Sequence, residues 1–115
     1  MKNNTSVVVA FIMLTACFSA KLATPSASDV ARVSNKFPNY TLANLNAGKV
    51  LFEEHCALCH GLRNPTSRNE ENWNKIVPRM VKKANRKKVR IDEGQQELIL
   101  KYLVTMSAGP KIKQH

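Results

Sequence analysis

Cysteine is scarce in this 115-residue chain: there are three, and two of them, Cys56 and Cys59, stand three positions apart. With only Cys17 left over, no disulfide framework can be drawn. Acidic side chains are few as well, eight Asp and Glu against 18 Lys and Arg, giving a formal net charge of +10. So basic a chain calls for an acidic protein partner or anionic lipid headgroups. Long apolar runs are also missing, since Val7 to Leu14 is too brief to cross a bilayer. Nor does the sequence offer a catalytic triad, a paired acid and base or a phosphate-binding loop. Substrate chemistry therefore has no support here, and the chain is read as a non-enzyme.

What is there centres on Cys56-Ala57-Leu58-Cys59-His60. Two thiols at this spacing can each add across one vinyl group of a porphyrin, and the adjoining imidazole reaches the iron. The second ring nitrogen of His60 then needs an acceptor that fixes its tautomer and plane, and the carbonyl of Pro65 is the nearest rigid one in sequence. Competing uses fit less well. A structural zinc site needs four ligands, and beyond the motif only His55, His115 and Cys17 are on offer, none at a second paired spacing. A redox dithiol would follow a strand and open a helix, whereas the pattern before Cys56 is already helical.

The N-terminus reads as an export signal over residues 1–16, with Lys2 ahead of the apolar run. Leu14-Thr15-Ala16-Cys17 resembles a bacterial lipobox, which would make Cys17 an acylated N-terminus; plain secretion is the other reading. Either places the protein in the periplasm or another extracytoplasmic space, where nucleic acid is rarely met. Residues 17–40 carry Pro25 and Pro38 and no sustained apolar period, so a tether is expected. The folded domain is then 41–109, followed by a tail, 110–115. A domain that size is marginal on an apolar core alone, and a porphyrin would supply much of the missing core.

Three helices are expected within it. One runs from an N-cap at Asn46 to about Cys56, with Leu51, Phe52 and His55 on its facing stripe and Gly48 inside it. A mid-helix Gly costs about 1 kcal/mol against Ala, so close approach of another helix is required of it. A second helix, capped by Asn69 with Glu70 and Glu71 in its first turn, has Trp73, Ile76, Val77, Met80 and Val81 along one face. Pro78 should kink or end it and leave Met80 at a helix end, thioether inward. The basic run Lys82, Lys83, Arg86, Lys87, Lys88 and Arg90 is expected as a solvated loop or turn. The third helix, Glu93 to Ser107, would cross the first with Tyr102 and Leu103 against Gly48 and Phe52, and Gly109-Pro110 would end it.

Over residues 41 to 109 these positions resemble the small bacterial class I c-type cytochromes: Gly48 and Phe52 before the motif, Gly61 and Pro65 after it, Trp73 to Met80, then Tyr102 and Leu103. The Trp73 to Met80 segment is similar to that of cytochrome subunits of periplasmic dehydrogenases. The resemblance implies an all-α bundle of about three to four helices around one covalent haem c. It also implies that Pro65 orients His60 and that Met80 is the sixth iron ligand. Met106, Lys82, Lys83 and His115 are rival ligands, and a vacant sixth position is a further alternative. With both axial positions filled, the iron would carry single electrons between an acidic redox protein or dehydrogenase and an acceptor. With the sixth position open, the chain would bind or sense a gas; bound permanently to an enzyme, it would be the electron-transfer subunit of a periplasmic dehydrogenase and not a mobile carrier.

Overall fold

The computed structural model describes residues 22–56 and 63–109. Expectations on the signal segment, Cys17, Cys59, His60, Gly61, Pro110 and the tail with His115 lie outside them. The described residues are all-helical: α1 (Ala27–Arg32), α2 (Leu42–Cys56), a 3-10 turn (Pro65–Ser67), α3 (Glu70–Arg86) and α4 (Glu93–Ser107). None of these helices is long and apolar enough to cross a membrane.

Helix α4 is the hub against which α1, α2, α3 and the 3-10 turn all pack. Its start is set by Asp92, whose carboxylate accepts the Gln95 N–H at 2.8 Å while the Gln95 side chain accepts the Asp92 N–H at 3.1 Å. Ile99, Tyr102, Leu103, Val104 and Met106 are all buried, so both flanks of α4 are apolar. Each such side chain taken out of water is worth about 1.5–3 kcal/mol.

Helix α2 lies across α4 where Gly48 has no side chain to hold it off. A Cβ there would sit 2.7 Å from the Tyr102 Cβ and would overlap the Leu98 carbonyl oxygen. The rings of Phe52 and Tyr102 pack at 5.7 Å, tilted by 43°. Helix α2 starts earlier than the expected Asn46: Thr41 Oγ1 accepts the Asn44 N–H at 3.1 Å, and the Asn44 side chain accepts in return from the Thr41 N–H and hydroxyl. Asn44 takes the reciprocal place usually held by Glu or Gln, so Asn46 is left as an exposed helical residue.

Helix α3 corrects two expectations. It begins as expected, with the Asn69 side chain accepting the Asn72 N–H at 2.9 Å, but it does not end at Pro78 and continues to Arg86. Pro78 and Asn74 are both exposed, so the carbonyl deprived of its donor faces water and the break costs one hydrogen bond rather than the helix. Half of the basic run is therefore helical. The stop comes at Lys87, followed by Lys88 with φ 68° and a bond from the Val89 N–H to the Ala84 carbonyl at 3.2 Å. That closure is a Schellman-type cap with lysine at the position glycine usually takes.

The largest departure lies in residues 22–40, which do not form a free tether. Leu22 and Val33 are buried, and Val30, Phe37 and Tyr40 pack against the same core. Asp29 accepts from the Ser26 N–H and hydroxyl, each at 2.9 Å, and from Arg32 at 2.9 Å. Arg32 in turn donates to the Thr105 carbonyl at 2.9 Å. Helix α4 has no basic residue in its last turn, so Arg32 brings the positive charge its C-terminal carbonyls favour. Pro38 and Asn39 form a turn between Phe37 and Tyr40, with Asn39 at φ 62°. It sets the two rings edge to face at 5.6 Å beneath the Lys101 ammonium.

Candidate functional site

Cys56 occupies the last position of α2 and is half-buried, packed against the core. The α2–α4 crossing thus fixes where the motif begins. The chain is described again from Arg63. Asn64 accepts the Thr66 N–H at 3.0 Å and turns it into Pro65–Ser67, which rests on α4.

Pro65 is buried, and its carbonyl accepts the indole N–H of Trp73 at 2.9 Å. Sequence reasoning gave Trp73 a packing role alone. Its ring is indeed buried, but its one donor also ties α3 to the carbonyl expected to orient His60. A carbonyl oxygen has two lone pairs, so one remains for an imidazole N–H. A buried indole N–H needs an acceptor, and that rule was the available signal for this bond.

Along α3, Trp73, Val77 and Val81 are buried, Ile76 is half-buried and Met80 is 36% exposed. Ile76 and Met80 are one turn apart on the same stripe. The sulfur therefore stands in mid-helix instead of at an inward-turning end, because α3 did not stop at Pro78. Met106, the rival sulfur, is buried in the core, and Lys82 and Lys83 are exposed. Helices α2 and α3 both pack on α4 but scarcely touch each other. Half-buried Leu51 and Cys56 on α2, and Ile76 with Met80 on α3, are apolar groups at the margin of the core.

Two phenols near the crossing are perturbed. Burial, with the carboxylate of Glu53 adding to it, pushes the Tyr102 hydroxyl well above its ordinary range. Burial also pushes Tyr40 up to about 12, offset in part by the neighbouring Thr105 hydroxyl. The hydroxyls of Tyr40, Tyr102 and Thr105 are buried without a hydrogen bond of full geometry. Both phenols stay neutral at physiological pH and act as packing groups. Among the described residues no cluster of three His, Cys, Asp or Glu could hold a metal ion.

No protein-family model, curated protein or solved structure matches this chain.

Proposed function

We propose that this chain is an exported single-electron carrier holding one haem c through Cys56 and Cys59, with His60 as one axial ligand and Met80 as the other. The observation that carries the reading is the placement of the CxxCH motif. It opens at the end of α2, whose crossing on α4 at Gly48 and Tyr102 is tight, while α3 stands apart from α2. A flat apolar macrocycle suits that arrangement: Leu51 and Cys56 on one helix and Ile76 and Met80 on the other are apolar side chains with area left to cover.

A haem c held there, with an imidazole and a thioether as ligands, would supply one-electron chemistry with little rearrangement. The chain's own residues supply attachment and orientation. Cys56 and Cys59 hold the group, Pro65 accepts from His60, and Trp73 locks Pro65. An extracytoplasmic location, a lipid on Cys17 and an acidic redox partner belong to the same proposal.

Gas binding is the second reading, and it is favoured by the exposure of Met80 on an unbroken α3. A reduced-minus-oxidised spectrum with and without carbon monoxide separates the two. A carrier resists carbon monoxide until Met80→Ala opens the iron. Ready binding by the unmodified protein establishes the gas-binding reading instead, and a protein with no haem spectrum overturns both.

A further inference from the structure

From Asn72 to Ile91 the chain has no acidic residue, yet it carries eight lysines and arginines. Lys75 is paired with Glu71 at 2.8 Å. The other seven, Arg79, Lys82, Lys83, Arg86, Lys87, Lys88 and Arg90, join none of the ion pairs among the described residues. All seven are exposed. Their mutual repulsion is an uncompensated cost in the free protein.

Helical spacing sorts them into two flanks. Lys83 and Lys87 follow Met80 by three and seven residues and share its side of α3. Lys82 and Arg86 follow Pro78 by four and eight residues on the adjoining flank, turned away from Met80. There they line a shallow, open cleft of about 480 Å³ between α3 and the start of α4, together with Pro78, Val81, Asn85 and Gln96. One wall is fixed in advance: the Asn85 amide donates to the Ile91 carbonyl at 3.2 Å and accepts the Ile91 N–H at 2.8 Å.

The geometry points to this cleft as a docking site for an extended acidic segment of a protein partner, apart from the Met80 flank. Lys82 and Arg86 supply the charge complement. Gln96 adds a polar group, and Pro78 and Val81 give an apolar strip for the segment's own chain. An anionic bilayer would draw on the cations of both flanks alike. Single-stranded nucleic acid would want an aromatic platform, which the cleft lacks. The inference does not require haem.

The test uses the full chain and a fluorescein-labelled glutamate-rich peptide, read by anisotropy at rising salt. Lys82→Glu with Arg86→Glu should weaken binding about tenfold, and Lys83→Glu with Lys87→Glu, the same change in formal charge, by less than about threefold. Lys82→Gln with Arg86→Gln should reproduce the first loss without placing an acid near the helix C-terminus. Equal losses from the two Glu pairs would overturn the inference. So would a peptide that fails to bind while vesicles containing phosphatidylglycerol do.

Discussion

At the α2–α4 crossing two backbones meet with no side chain between them at Gly48, and Phe52 and Tyr102 close the contact. Along α3 the opposite holds. Trp73, Val77 and Val81 are buried in the core with Ile76 and Ala84 packed at its edge, a proline sits on the outer face, and cations crowd the C-terminal half. The first interface is specified by shape and tolerates little. The second is specified by an apolar stripe and one buried hydrogen bond, which leaves α3 freer to present its outer faces to a partner. On the function proposed above, the crossing would place a covalent attachment point and profit from the first kind of packing, and α3 would meet a partner and profit from the second.

The sharpest way to break the contrast is Gly48→Val. A branched side chain against the Leu98 carbonyl and Tyr102 should cost about 3 kcal/mol, seen as a lower midpoint in urea with an unchanged slope. The same volume added at exposed Asn74 on α3 should cost well under 1 kcal/mol. Equal effects at the two sites would erase the distinction.

Trp73→Phe tests the buried indole hydrogen bond of the α3 side. A smaller ring remains while the Pro65 carbonyl loses its donor, and the unpartnered acceptor together with the vacated volume should cost about 2 kcal/mol. In the haem-loaded protein it should also lower the reduction potential, because the carbonyl then accepts more strongly from His60 and makes that ligand more electron-rich. A stability loss with no change in potential would confine Trp73 to holding the 3-10 turn.

Much of this architecture was legible beforehand. Gly48 inside an otherwise helical stretch demanded a close neighbour, and the Leu98 to Met106 stripe gave α4 its limits. The N-terminal segment was missed because small polar residues mask a spacing that is there: Val30, Val33, Phe37 and Tyr40 recur at three- and four-residue steps. Met80 was misplaced for a different reason. Whether a proline breaks a helix depends on what surrounds the carbonyl it strips, and the exposure of Asn74 is a tertiary fact.

Residues 22–40 give a smaller effect with a pH signature. Burial alone would raise the Asp29 carboxyl, but the Ser26 N–H and hydroxyl and the Arg32 guanidinium outweigh it and hold it below its ordinary value. A carboxyl depressed in the folded state adds stability that is present above its unfolded value, near 3.9, and lost as pH falls through the folded one. Asp29→Asn should therefore cost about 1 kcal/mol near neutral pH, and the difference from the unmodified protein should close as pH falls through the depressed folded-state value. A difference independent of pH would mean that the charge plays no part. The smallest change is expected at the end of α3. Lys88→Gly relieves a left-handed backbone and should add about 0.5–1 kcal/mol in the same urea titration.

The most direct test of the whole reading is denaturing electrophoresis with haem staining of the full chain, produced in an export compartment that carries haem-attachment machinery. Haem should stay with the polypeptide through denaturation and be lost from a Cys56→Ala, Cys59→Ala variant. A polypeptide that runs free of haem, or that carries zinc in its place, would contradict it.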